Sequence, residues 1–253
     1  MPGLRIFQAN HICAECFNNN SLLRYSTSAL DYAKALIRDV ESVSNQMEVV
    51  SSNRKIATIL LSKAAIMSCL SGDFVETGVY YGGTVAVMMR VLIEFDRCNR
   101  KLYAFDSFLG LPTIEHKDQV GAHVVGTSGA FRISQEVFEN NVKKAKAWDD
   151  SRIRVVKGWF NETLPAATDL TRISFLRLDG DVYSSTKEAL ENLYPKVVHG
   201  GYIYVDDYGS YNGCRTAVDE FRAEHHIQEP FHVVNETGNP FEAIWWRRKR
   251  HED

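Results

Sequence analysis

The chain has 253 residues, 45% of them hydrophobic and 24% charged, which suits one globular domain with a sizeable core. A formal net charge of -3 offers no electrostatic basis for a nucleic-acid surface, and the one dense basic run, Arg247-Arg248-Lys249-Arg250, reads as a solvated tail. No apolar stretch approaches the roughly 20 residues of a membrane span, and the start lacks the basic-then-apolar design of a secretory signal. The expected setting is therefore cytoplasmic, without a membrane partner.

Residues 1–27 show no sustained periodicity and contain Cys13-x-x-Cys16, a single pair lacking the second half that a structural zinc site needs. With the other cysteines at 69, 98 and 214, free reduced thiols are expected. Leu30, Ala33, Leu36, Val40 and Val43 share one helical face over 28–47, and Ile56, Ile59, Leu60, Ala64 and Met67 mark a second helix over 53–69, stopped by Gly72. Residues 1–50 thus read as a partly helical N-terminal extension to a domain over 51–253.

Beyond Gly72 short apolar runs alternate with helical stretches. Strands are expected at 74–79, 101–107, 153–158, 173–179 and 201–206, with helices at 83–96, 134–147, 185–194 and 213–226. This alternation predicts an α/β fold around a mostly parallel sheet, covered on both faces. Two last strands, 231–235 and 243–248, are close enough in sequence to form an antiparallel pair at one edge. The connection 109–131 holds four glycines and is long enough for a binding loop.

In open α/β sheets ligands bind beyond the carboxyl ends of the strands. The first strand leads through Glu76-Thr77-Gly78-Val79-Tyr80-Tyr81-Gly82-Gly83 into a helix, where Gly78 permits close approach of a ligand and the free amides of the helix start favour an anion. The second ends in Asp106-Ser107, whose carboxylate could accept from ribose hydroxyls. The glycines at 78, 82 and 83, with 28 positions between Gly78 and Asp106, do not match the dinucleotide fingerprint. Glu-x-Gly-x-x-x-Gly instead resembles the first motif of class I methyltransferases that use S-adenosylmethionine.

Two further strands deliver Asp179-Gly180-Asp181 and Asp206-Asp207 to their carboxyl ends. Turn and cap chemistry would explain such residues, but Ser185 with Glu188 reads as the capping box of the next helix, and Ser210 or Asn212 as the cap of the one after. Converging carboxylates repel unless protonated or bridged by a cation, and oxygen-only ligands favour a hard ion, Mg²⁺ first, with Ca²⁺ or Mn²⁺ as alternatives. A divalent ion acidifies a bound hydroxyl and a nearby carboxylate takes its proton. Metal, carboxylates and an adenosyl cofactor together imply methylation of a hydroxyl. The residues alone do not choose the base, for which His123 in the long loop is a rival; Tyr183 and Tyr208 flank the acids as candidate acceptor-pocket residues.

The ordered set Glu76-Thr77-Gly78-Val79, Ala104-Phe105-Asp106-Ser107-Phe108, Gly158-Trp159-Phe160, Leu176-Arg177-Leu178-Asp179-Gly180-Asp181 and Asp206-Asp207-Tyr208 resembles the macrocin O-methyltransferase family, from about 53 to 248. Its members methylate sugar hydroxyls of glycosylated natural products. The resemblance implies a class I methyltransferase (Rossmann-like) fold, S-adenosylmethionine, and Mg²⁺ held by Asp179, Asp206 and Asp207 with Asp181 as general base. It places the cofactor against Glu76, Thr77, Gly78, Tyr80, Asp106, Ser107, Gly158 and Trp159. Tyr80-Tyr81 stand where the family often has Trp and a basic residue. The family's habits also imply a homo-oligomer, with helix 28–47 in the lid or contact.

The expected acceptor is a sugar-containing molecule. A catechol or phenol acceptor is the nearest alternative; since loop 109–131 holds Phe131 as its one aromatic, a clamp for a flat ring is less well provided. A nicotinamide-dependent oxidoreductase and a non-catalytic nucleoside-binding module are the more distant ones.

Overall fold

A computed structural model describes residues 29–48, 50–119, 126–236 and 239–249. Among them β1 (Asp73–Thr77), β2 (Leu102–Asp106), β3 (Ile153–Lys157), β4 (Ile173–Leu178), β5 (Val197–Val205), β6 (His232–Glu236) and β7 (Asn239–Arg247) form one sheet in the order β3-β2-β1-β4-β5-β7-β6. The first five are parallel, and β7 runs antiparallel to both β5 and β6. The order reverses direction between β1 and β4, which opens a crevice at their carboxyl ends.

Alternation along the strands assigns the two cores. Phe74 and Phe175 join Leu36, Ile59 and Val87 beneath α1 (Ala29–Glu41), α2 (Ser52–Met67) and α3 (Gly83–Phe95). Val75, Leu176 and Ile203 face α6 (Phe160–Ala166), α7 (Tyr183–Leu193) and α8 (Asn212–Glu224) through Leu164, Leu190 and Val218. Two shorter helical pieces, α4 (His116–Gln119) and α5 (Gln135–Lys144), follow β2. Burial on both faces is why the strands read as continuous apolar runs rather than alternating ones; all six residues of β4 are buried.

Register matters most for the site. Thr77 is level with Phe105 and Leu178, and Leu178 with Val205. The next residues, Gly78, Asp106, Asp179 and Asp206, therefore leave the sheet at one level. One position earlier, Glu76, Arg177 and Tyr204 lie side by side across β1, β4 and β5.

The expected elements are present with shifted ends. Helix 28–47 stops at Glu41 and gives way to a 3₁₀ turn at Asn45–Glu48, β5 starts earlier at Val197, and α4 and α6 were not anticipated. Both are too short to show a helical period, and α6 contains Pro165. The caps differ as well. α7 already begins at Tyr183, which places Ser185 inside its first turn, and Asn212 is the first residue of α8 while the Ser210 hydroxyl donates to Glu242. The basic run is not a solvated tail where it is described. Arg247 belongs to β7 and donates to Gly200 O at 3.0 Å, and Arg248 donates to the carbonyls of Tyr194 (3.0 Å) and Pro195 (2.8 Å). Cys69 and Cys214 are free thiols, whereas Cys98 is disulfide-bonded, against the expectation of free thiols throughout. No helix among the described residues is long and apolar enough to cross a membrane. His123 and residues 1–28 lie outside the described residues.

Candidate active site

The carboxyl-end crevice is a cavity of about 430 Å³. One wall is the glycine turn. Gly78 has φ +80, and a Cβ there would stand 1.7 Å from the carbonyl oxygen of Asp179, so only glycine lets the exits of β1 and β4 touch. Asp106 clamps the same turn: its Oδ2 accepts from the amides of Val79 (2.8 Å) and Tyr80 (3.2 Å), and its Oδ1 from that of Phe108 (2.7 Å). Burial raises the Asp106 carboxyl above its usual range, with those amide bonds opposing.

Of the residues expected at the cofactor, Gly78, Tyr80, Asp106, Ser107 and Trp159 line this cavity. Glu76 and Thr77 are buried behind it, and Gly158 is not part of the lining. Glu76 has a different occupation. Its Oε1 accepts from Thr84 Oγ1 at 2.5 Å, in the first turn of α3, and from Arg177 Nη1 at 2.7 Å, while its buried Oε2 has no hydrogen-bond partner. Burial pushes its carboxyl up to about 8 against the pull of Arg177.

Asp179, Asp181, Asp206 and Asp207 all line the cavity, as expected, but two arginines are threaded among them. The wholly buried Arg177 reaches Asp179 Oδ2 at 2.5 Å through Nη1 and Asp206 Oδ1 at 2.6 Å through Nη2. Arg54, in the first turn of α2, takes the other oxygen of Asp206 at 2.6 Å and lies 3.6 Å from Glu242 and 3.8 Å from Asp207. Burial alone would lower both guanidinium pKa values; the aspartates, Asp206 foremost, outweigh it and raise them.

With both oxygens of Asp206 engaged, the three carboxylates that offer ligand atoms within 4.8 Å of one another are Asp179, Asp181 and Asp207. Asp207 Oδ2 is buried and without a hydrogen-bond partner. Burial, followed by the neighbouring aspartates, drives the carboxyls of Asp181 and Asp207 well above the ordinary range. Burial likewise brings Asp206 to about 6, where the arginines oppose it. A divalent cation would relieve that crowding and meet the orphaned oxygen, so the donor set fits a hard ion.

Apolar and aromatic side chains complete the lining. The Tyr80 and Tyr81 rings lie 4.3 Å apart and Tyr80 and Phe131 5.5 Å, both edge to face, beside Leu111, Pro112 and Met47. The aromatic surface is thus larger than the long loop alone provides. Tyr183 and Tyr208 do not line the cavity: their hydroxyls bond Glu220 and Asp219, and Tyr211 contributes to the wall instead. Arg54 is the only cation among the described lining residues.

Arg54, Arg177, Tyr211 and Glu242 are residues of the site that no sequence motif singles out. Arg177 had a signal: an arginine inside a strand buried on both faces must find carboxylates. Arg54 had none, because its neighbours in the site are more than 120 residues away in sequence.

This sheet order with a single reversed strand, a glycine turn after β1 and acids after β2, β4 and β5 defines the class I methyltransferase fold. The model of the family described as "Macrocin-O-methyltransferase (TylF)" matches residues 11–248, and the chain belongs to that family of O-methyltransferases. It is 36% identical over 182 residues to a demethyldecarbamoylnovobiocin O-methyltransferase from Streptomyces niveus, covering 71% of this chain and 67% of that one. It is 35% identical over 179 residues to an 8-demethyl-8-(2,3-dimethoxy-alpha-L-rhamnosyl)-tetracenomycin-C 4'-O-methyltransferase from Streptomyces olivaceus, covering 70% and 66%. The matched part is thus about two thirds of these relatives' lengths. Among solved structures, the O-methyltransferase NovP superposes with a TM-score of 0.74 at 28% identity, covering 88% of this chain and all of that one.

Proposed function

We propose that the chain methylates a hydroxyl on the sugar of a glycoside whose aglycone is apolar, using S-adenosylmethionine and Mg²⁺. The observation that carries this reading is the mixed lining of one cavity: a carboxylate cluster with one orphaned oxygen shares it with the aromatic cluster of Tyr80, Tyr81 and Phe131. Arg54, the one cation of the described lining, is already held by carboxylates, so the diphosphate of a nucleotide sugar would meet net repulsion. An uncharged glycoside would not. Two of the most similar relatives are named for glycosylated natural products, which is consistent with that acceptor.

Bound in this cavity, the cofactor supplies an electrophilic methyl and Mg²⁺ supplies Lewis acidity toward the acceptor oxygen. The protein's share is positioning and proton removal. The glycine turn, clamped by Asp106, presents its backbone to the cofactor, and Trp159 lines the same cavity. Asp179 and Asp207 belong to either set of metal ligands. With Asp206 as the third, Asp181 is left to take the hydroxyl proton. The aromatic wall holds the aglycone and thereby aims the sugar at the acids.

Calorimetric titration of S-adenosylhomocysteine in magnesium buffer tests the cofactor, with saturation at one site per chain expected. Methyl transfer to an aryl or macrolide glycoside, with none to a nucleoside-diphosphate sugar, tests the acceptor. Methylation of a simple catechol instead would select the phenol reading, which the aromatic wall also suits. No heat with S-adenosylhomocysteine would remove both.

A further inference from the structure

Asp118 lies in α4, in the first described part of the long connection after β2, and is only 4% exposed. Its Oδ1 accepts from the amide of Tyr183 at 2.7 Å and its Oδ2 from that of Glu115 at 2.9 Å. Tyr183 is the first residue of α7, whose N-cap Val182 makes no side-chain cap bond; α8 has Tyr211 at its N-cap and is likewise without one. At Gly213, in the first turn of α8, a Cβ would fall 1.7 Å from Asp118 Oδ1 and 2.9 Å from the Tyr183 nitrogen. One carboxylate from a distant segment is therefore wedged between two helix starts. Free amides and the positive ends of both helix dipoles make that a favourable place for it.

Those helices follow directly on the acidic loops. α7 begins two residues after Asp181 and α8 five after Asp207. Asp181 sits at φ +58 in a tight turn closed by the Val182 amide on the Gly180 carbonyl at 2.6 Å, a conformation that surrounding contacts must hold in place. The segment that carries Asp118 also supplies Leu111 and Pro112 to the cavity wall, whereas Asp118 itself is not in the lining.

We propose that Asp118 is a positioning residue for methyl transfer: by pinning the starts of α7 and α8 together it sets the spacing of Asp181 and Asp207, and it ties that spacing to the docking of segment 111–119. The inference rests on the methyltransferase reading above.

Three variants test it, each titrated with Mn²⁺ alone and with S-adenosylhomocysteine alone, and assayed for kcat and KM. Asp118→Ala removes the carboxylate, and Gly213→Ala expels it without removing it. Asp118→Asn keeps an Oδ1 that can accept from Tyr183. Both alanine variants are expected to weaken Mn²⁺ binding by about 10- to 100-fold, the usual effect of losing a group that orients metal ligands, with kcat lowered. S-adenosylhomocysteine affinity should stay within about twofold, since the glycine turn is untouched, and Asp118→Asn should recover most of the Mn²⁺ affinity. Unchanged Mn²⁺ affinity and kcat in alanine variants that bind S-adenosylhomocysteine normally would overturn the positioning role alone. Parallel loss of both ligands would reduce Asp118 to a general structural contact, and absence of Mn²⁺ binding in the wild-type chain would remove what it is said to position. A wild-type chain that binds no S-adenosylhomocysteine would instead fail the underlying reading.

Discussion

Asp181 has two claims on it. It stands among the carboxylates that offer ligand atoms within 4.8 Å of one another, and the proposed mechanism gives it the role of base. Asp181→Asn separates the two. As the base, its loss should cost about 10²- to 10⁴-fold in kcat while Mn²⁺ titration gives the wild-type affinity. A parallel fall in Mn²⁺ affinity would make it a ligand and leave Asp206 with its arginines. At this scale the acids were legible in the sequence, because four aspartates closing two apolar strands stand out once the helices start without them; that Asp179 and Asp206 also pair with the buried Arg177 was not legible. The helices do start without them, although the expected caps were wrong: Ser185 and Asn212 lie inside α7 and α8. Arg54 and Arg177 change the electrostatics of the cluster, and their pairing depends on strands and a helix far apart in sequence.

At the scale of elements, the exits of β1 and β4 meet because Gly78 has no side chain. Gly78→Ala would force a Cβ to within 1.7 Å of the Asp179 carbonyl at φ +80. The left-handed conformation alone costs about 1–2 kcal/mol, so urea denaturation is expected to show a loss of about 2 kcal/mol or more, with S-adenosylhomocysteine binding abolished. Wild-type stability in that variant would mean that the strand ends do not approach as described. Strand positions were readable because burial on both faces leaves apolar runs with sharp polar ends. Elements of four and seven residues, α4 and α6, fell below the length at which a helical period can be seen, yet α4 carries Asp118.

For the whole molecule, the buried acids of the site set a pH dependence, and Glu76 and Asp206 mark its window. Burial raises Glu76 from 4.5 to about 8 and Asp206 from 3.8 to about 6. A carboxyl whose folded pKa is raised binds protons more readily in the folded state. Its contribution to stability is therefore full below about pH 4 and is lost as pH rises through the folded values. Asp149 and Glu220, whose pKa values are lowered by hydrogen bonds to Ser151 and Lys117, act below that window. The melting temperature in EDTA should thus fall between about pH 5 and pH 8. Millimolar Mg²⁺ should flatten that fall by holding the ionised cluster together. A melting temperature that climbs through the window, or ignores Mg²⁺, would contradict the crowding of these carboxylates.

The sequence by itself determined the class of fold, the succession of its strands and longer helices, the glycine turn and the acids. Each of these depends on local periodicity, or on residue types whose chemistry has few other uses at a strand end. Only the tertiary structure decided that Glu76 serves Arg177 and Thr84 behind the cavity, that Arg54 enters from α2, and that Tyr80, Tyr81 and Phe131 make one wall. It likewise decided that Asp118 joins two helices it does not belong to. Such pairings depend on strand register and on which faces pack together, and those are properties of the assembled sheet rather than of any stretch of the chain.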